Sequence, residues 1–193
     1  ERFLIISYLG LTAVGIFGFA DTIVGIFISL LLGSVLKVRG IKIYEELGKA
    51  NYRLVHKIIV KETMLLILIA VGFIILIAIG MKIFIPIVLP KWEAAITITI
   101  LFSLVLPLKL ASSYISFVIK SPTINKLKFS PIMQLIATGV LLSGFIFLKY
   151  YGCLNLTNFI IVDIVAYGVL HISFVVYYYQ YYYMKFIKVR KSK

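Results

Sequence analysis

Five long apolar stretches alternate with polar segments along this chain. They cover residues 12–36, 64–85, 92–119, 129–148 and 159–183. Each has about the 20 consecutive apolar residues that an α-helix needs to cross the hydrocarbon core of a bilayer. Residues 1–9 end in a further apolar run, which we expect to be the outer end of a sixth helix. The pattern predicts an all-α integral membrane protein with five full transmembrane helices.

The polar connections between these stretches predict how the helices follow one another. Within residues 37–62, apolar residues recur at helical spacing, which indicates an amphipathic helix that lies along the inner interface or extends a span. The short segment 86–90 predicts that the second and third spans form an antiparallel hairpin. Pro107 predicts a kink in the third span, because proline removes one backbone hydrogen bond. A tyrosine-rich segment, 177–183, is typical of an interfacial aromatic belt.

Composition and charge assign this protein to the membrane and orient it there. The chain of 193 residues is 62% hydrophobic with a net charge of +13. Seven basic residues lie in 37–62, three in 120–128 and five in the tail, whereas the other two gaps hold only Lys82, Lys91 and Lys149. This alternation predicts a multi-pass cell-membrane protein with a cytoplasmic C-terminus. The same placement accounts for the positive charge without nucleic acid as a partner.

One membrane domain over residues 1–193 is expected, and the start at Glu1 rather than Met predicts the C-terminal part of a longer protein. A single cysteine excludes an internal disulfide. The sequence contains no arrangement typical of a hydrolytic triad, a phosphate-binding glycine loop or a metal site. We therefore do not expect an enzyme.

Ionisable residues inside the apolar stretches are the candidate functional residues, because a charge in hydrocarbon is costly unless it faces a partner or water. Asp21 begins a row of small residues, Gly25, Ser29 and Gly33, that predicts a helix-packing seam. Lys109 either extends to the interface or faces a cavity. Three polar residues share one face of the fifth span and line either a hydrogen-bonded seam or a solvated pathway: Asp163, Tyr167 and His171. Such stripes on several helices are typical of a carrier or channel.

Two segments carry a resemblance to a known family. Glu1-Arg2, followed by YLGLTAVGIFGFADTI at 8–23, resembles the Asp-Arg, Gly and Val-Gly-x-aromatic-x-x-Ala run in the second half of polysaccharide flippases. VLPKWEAAITITIL at 88–101 is similar to the outer turn of that family, which belongs to the multidrug/oligosaccharidyl-lipid/polysaccharide exporter superfamily. The resemblance covers essentially the whole chain. It departs from the pattern at Glu1, where the family has Asp, and near Val38, where a proline is missing.

The resemblance implies one half-bundle of a two-lobed transporter that moves lipid-linked oligosaccharide across the membrane by alternating access. It implies two partners, the bilayer and a polyprenyl-pyrophosphate-linked oligosaccharide, together with a possible glycan polymerase or ligase. Arg2, beside Glu1, or Lys109 would neutralise the pyrophosphate, with Arg2 expected to matter most. Asp21 and Asp163 would balance these cations or carry a coupling proton or sodium ion, and no other cofactor is expected.

Three alternatives remain open at this point. An ion-coupled multidrug or metabolite antiporter of the same superfamily would use Asp21 or Asp163 to bind cations. A membrane glycosyltransferase or ligase would need larger outer loops than this sequence contains. The third alternative is a non-transporting membrane subunit of a glycan-assembly complex.

Overall fold

The computed structural model describes residues 1–31, 33, 37–120 and 129–183, and the regular secondary structure in these ranges is helical, with no strand. Five helices within this part of the chain are long and apolar enough to cross a membrane: Arg2–Leu31, Tyr52–Val88, Ala94–Ser116, Phe129–Tyr150 and Leu156–Gln180. The all-α class and the five expected spans are therefore confirmed. The protein is a multi-pass membrane protein. The basic segment 121–128 and the tail 184–193 lie outside the described residues.

Seven α-helices follow one another in the described ranges: α1 Arg2–Leu31, α2 Lys37–Gly48, α3 Tyr52–Val88, α4 Ala94–Ser103, α5 Val105–Lys120, α6 Phe129–Tyr150 and α7 Leu156–Tyr177. A short 3₁₀ turn, Pro90–Trp92, joins α3 to α4, and π-helical residues Tyr178–Tyr183 follow α7. The expected hairpin of the second and third spans is present, because α3 packs along both α4 and α5.

Helix α1 consists of two arms that fold back on each other at Gly10. Gly10 has φ +85° and ψ 176°, a conformation that a residue with a Cβ rarely adopts. Arg2 and Asp21, 19 residues apart, form an ion pair of 3.0 Å. In a straight helix they would be about 28 Å apart. The arm 2–9 is thus a separate helical segment before the first full span, 11–31, as the sequence predicted.

The basic connection 37–62 forms two helices and not one. Helix α2 buries Ile43 and Leu47 against the bundle, whereas residues 52–62 continue directly into the second span. The chain turns between them at Ala50, whose φ is +53°. Residues 52–62 therefore extend the second span, which is one of the two expected arrangements, whereas the helix is interrupted near Ala50. An ion pair of 3.6 Å between Arg39 and the nearly buried Glu62 links α2 to α3.

The third span is bent, as Pro107 predicted. Helix α4 ends at Ser103, and α5 begins at Val105 after a single turn residue, Leu104. Because Pro107 has no N–H, the Ser103 carbonyl four residues earlier lacks its helical donor, and the ring crowds the same turn. This bend orients the polar residues of α5, which follow the break.

The glycine row that begins in α1 forms no close helix seam among the described residues, because a Cβ at Gly25 or Gly33 would meet nothing within 4 Å there. The expected seam is therefore not found in this part of the chain. In the tyrosine segment, Tyr178 is buried and its hydroxyl lies 2.9 Å from Nδ1 of His56 on α3. The interfacial belt stays a prediction, and this contact between distant residues is one that periodicity does not indicate.

Gly144 on α6 makes the close helix contact that α1 lacks, since a Cβ there would overlap a methyl group of Val162 on α7. We expect Gly144→Ala to lower the free energy of unfolding by about 1–3 kcal/mol, because valine cannot move aside at low cost. Gly139→Ala on the same helix is the control, since its Cβ would meet nothing within 4 Å. Thermal unfolding in detergent would compare the two. Equal stability of both variants would contradict the close contact.

Candidate functional site

Helix α7 presents a column of polar side chains toward its neighbours. The Asn155 side chain accepts a hydrogen bond of 2.8 Å from the Asn158 N–H, which caps the start of this helix. Asp163, Tyr167 and His171 follow at intervals of four residues and therefore share one face. Because α5 and α6 both pack against α7, this column becomes the wall of a site between three helices.

Lys109 joins this column from α5. Its ammonium nitrogen lies 4.5 Å from the centre of the Tyr167 ring, within the range of a cation–π interaction. It also lies close enough to interact electrostatically with Asp163 and His171. Of the two positions left open by the sequence, Lys109 therefore occupies the cavity position and does not extend to the interface.

Ser112 of α5 contacts the last residue of the same column, His171. Its hydroxyl forms a hydrogen bond with Nδ1 of His171, and the His171 ring stacks parallel to Tyr167 with a centroid distance of 6.1 Å. Nε2 of His171 is buried and has no hydrogen-bond partner among the described residues. The imidazole is thus held in position through Nδ1, while the buried Nε2 makes no hydrogen bond to the described residues.

Two adjoining cavities of about 220 and 310 Å³ run along the column. They share Gln134, Tyr167 and Leu170 as lining residues. The remaining polar lining comes from α1, α5, α6 and α7: Glu1, Lys109, Ser112, Ser113, Ser116, Ser130, Thr138, Asp163 and His171. We call this continuous space the polar cleft.

A pair of carboxyl groups lies in the smaller cavity. Asp163 is 1% exposed, and its carboxyl group faces that of Glu1. Oδ2 of Asp163 has no hydrogen-bond partner within the described ranges. Two adjacent carboxyl groups can share a proton or bind one cation between them, which relieves their mutual repulsion.

Arg2 and Asp21 lie beside the polar cleft as a pair. Their side chains are 64% and 41% exposed, and they neutralise each other across the Gly10 fold-back. Three ion pairs form among the described residues, and none of them includes Lys109. Lys109 therefore takes part in no ion pair among the described residues, although it lies close enough to interact electrostatically with Asp163, whereas the sequence favoured Arg2 for contact with an anion.

The Arg2–Asp21 pair can be tested by a double-mutant cycle. We expect Arg2→Ala to lower thermal stability more than Arg2→Ala/Asp21→Ala, because the single change leaves an unpaired carboxylate within the membrane. Thermal unfolding of the wild-type protein, both single variants and the double variant measures the coupling. Strictly additive effects would show that the pair does not stabilise the fold-back.

All seven candidate residues from the sequence thus lie in or beside one site. Gln134 and Thr138, which share one face of α6, were not among the candidate residues, and neither Ser130 nor the contact of Ser112 with His171 was expected. The shared polar face of α6 was the available signal for Gln134. Ser130 carried no signal, because a lone serine near the end of an apolar helix is common.

The polar cleft offers two kinds of binding chemistry. Lys109, with hydroxyl groups of α5 and the amide of Gln134, can hold an anionic or hydroxylated group. The Glu1–Asp163 pair can hold a proton or a small cation. Among the described residues, no group of three or more His, Cys, Asp or Glu side chains could hold a metal ion.

Fold and site together define a multi-pass helical membrane protein whose bundle contains an ionisable polar cleft. Comparison with protein-family models, curated proteins and solved structures finds no match to this chain. The resemblance to polysaccharide flippases therefore remains a hypothesis that rests on the sequence motifs.

Proposed function

We propose that this protein moves lipid-linked oligosaccharide units across the cell membrane by alternating access, as part of cell-surface polysaccharide synthesis. The observation that carries the proposal is Lys109, a cation inside an apolar bundle, which lies over the Tyr167 ring and takes part in none of the three ion pairs among the described residues. An intramembrane cation in this state favours an anionic ligand. The pyrophosphate of a polyprenyl-linked sugar has the required charge.

The depth of the polar groups supports passage across the membrane. Asp163 follows the start of α7 by seven residues, which corresponds to about 10 Å along the helix. Lys109 follows the start of α4 by fifteen residues, or about 22 Å. Since a hydrocarbon core is about 30 Å thick, these side chains lie at different depths within it. The polar cleft thus supplies polar contacts across the middle of the bilayer.

The chemistry of the cleft suits a sugar head group. A buried hydroxyl without a partner costs on the order of several kcal/mol, which prevents unassisted passage through hydrocarbon. Ser112, Ser113, Ser116 and Gln134 line the larger cavity and can replace the water that a sugar loses. The polyprenyl tail would remain in the surrounding bilayer, because the cleft lies among helices whose other faces are apolar.

Reconstitution of the complete protein into vesicles tests this function. A fluorescent polyprenyl-pyrophosphate oligosaccharide in one leaflet should become accessible to a membrane-impermeant quencher or hydrolase on the other side. Empty vesicles are the control. A translocation rate equal to that of empty vesicles would overturn the proposal.

An ion-coupled antiporter is the second candidate, and the Glu1–Asp163 pair favours it. A buried carboxyl group with an unpartnered oxygen is a suitable binding group for an exchanged proton or cation. The same vesicles, loaded with a small organic cation and given a proton or sodium gradient, distinguish the two. Gradient-driven cation release without movement of the lipid-linked sugar would favour the antiporter.

A further inference from the structure

We propose that the extended end of α3 binds the phosphate head groups of anionic phospholipids in the surrounding bilayer. The binding surface consists of Arg53, Lys57 and Lys61, which we call the basic row. This inference concerns a site separate from the polar cleft and does not depend on the transport proposal. It rests on the face, the depth and the charge of these three residues.

The basic row lies on an exposed face of α3. Its members follow one another at intervals of four residues, so they form one stripe. The opposite side of the same helical segment is buried at Val55, Ile59, Glu62 and Leu66. The three basic residues line an open cavity of about 850 Å³, which is accessible to a ligand.

The face of the basic row continues directly into an exposed apolar stripe. After Lys61 in the chain, the same helix face carries Met64, Leu68, Val71 and Ile75, whose exposed fractions are 47–73%. Large apolar side chains on the outside of a membrane helix contact lipid chains. A phospholipid whose tails pack against this apolar stripe would have its head group beside the basic row.

The length of α3 carries the basic row beyond the hydrocarbon core, with Lys61 at the level of the head groups. The helix has 37 residues and is about 55 Å long, whereas the hydrocarbon core needs only about 30 Å. If the core begins near Met64, Lys61 and Lys57 lie about 5 and 10 Å beyond it. The head-group layer of each leaflet occupies about 5–8 Å. Both lysine side chains can therefore reach lipid phosphates.

The charge of the basic row is not neutralised within the described part of the chain. None of its residues occurs in the three ion pairs found there. Nearby acids have other partners: Glu62 pairs with Arg39, and hydrogen bonds from Lys49 and Asn51 lower the pKa of Glu46. Three positive charges that form no ion pair among the described residues favour an anionic lipid surface.

Titration of a fluorescent phosphatidylglycerol into the complete purified protein in neutral detergent tests this site. We expect Lys57→Gln/Lys61→Gln to lower the association constant of the protein for phosphatidylglycerol at least about fivefold at low salt. Each basic residue near an anionic lipid surface contributes about 1 kcal/mol to the binding free energy. Lys82→Gln/Lys91→Gln removes the same charge at the other end of the spans and should leave the constant unchanged. Lys57→Arg/Lys61→Arg should retain binding. Fluorescent phosphatidylcholine should show no difference between variants.

Equal loss in the Lys82→Gln/Lys91→Gln control would show that only net charge matters and would overturn the site. Unchanged binding of phosphatidylglycerol by the Lys57→Gln/Lys61→Gln variant would also overturn the site. Inorganic phosphate, added at constant ionic strength, distinguishes a lipid from a free anion. Displacement of the lipid by phosphate would assign the basic row to a soluble ligand and contradict the lipid proposal.

Discussion

Replacing Lys109 by alanine is expected to slow translocation of the lipid-linked sugar by about 10- to 100-fold in the vesicle assay, because hydrogen bonds to charged groups contribute about 1.5–3 kcal/mol. The variant should insert into the membrane normally. Lys109 takes part in none of the three ion pairs among the described residues, and Asp163 is the buried carboxyl group whose electrostatic contact its removal weakens. A slower translocation rate at an unchanged amount of membrane-inserted protein would show that the Lys109 ammonium group interacts with the substrate.

Two further variants make the Lys109 result specific. Lys109→Arg keeps the positive charge and should retain a measurable part of the rate. Lys82→Ala removes an exposed lysine outside the cleft and should have the wild-type rate. A wild-type rate for Lys109→Ala would remove this residue from the site, whatever the protein transports.

Replacing Asp163 by leucine should have opposite effects on stability and function. We expect the free energy of unfolding to rise by about 1–3 kcal/mol, because a buried polar group with an unpartnered oxygen gives way to an apolar side chain. The same change removes one half of the Glu1–Asp163 pair. Transport that depends on a bound proton or cation should therefore be abolished. Chemical denaturation and the vesicle assay measure the two effects.

Asp21→Leu is the matched comparison for stability. Asp21 has a partner, Arg2, at 3.0 Å, so its replacement leaves a cation unpaired and should lower stability. Glu46→Gln, outside the membrane spans, is the transport control. A destabilised Asp163→Leu variant would show that this carboxyl group is structurally required and not maintained for binding.

The positions of the spans could be predicted because hydrophobic length is a local property of the chain. The predicted stretch 129–148 and the helix Phe129–Tyr150 nearly coincide, and Pro107 correctly predicted the bend before α5. The apolar stretch 64–85 marks only the membrane-spanning part of α3, and the helical spacing of apolar residues before it indicated the extension that residues 52–63 form. Helix α3 packs against α2 and α5.

The sequence predicted which residues belong to the candidate site but not which of them contact one another. Asp163, Tyr167 and His171 share a helix face in any α-helix, and this needs no tertiary information. The partners of Arg2 and Lys109 depended on the fold-back at Gly10 and on the packing of α5 against α7. The spacing of residue types along the chain indicates neither the Arg2–Asp21 contact nor the Lys109–Tyr167 contact, because each joins residues far apart in the sequence.

The sequence by itself determined that this chain is a five-span helical membrane protein with ionisable residues at depth, because the bilayer imposes length and apolarity on each helix separately. Only the tertiary structure decided that Asp21 neutralises Arg2 and that Lys109 lies over Tyr167 in a shared cleft. It also left the basic row on an exposed face of α3. The physical reason is that the state of a charge in a membrane depends on its spatial neighbours, and packing between helices selects them.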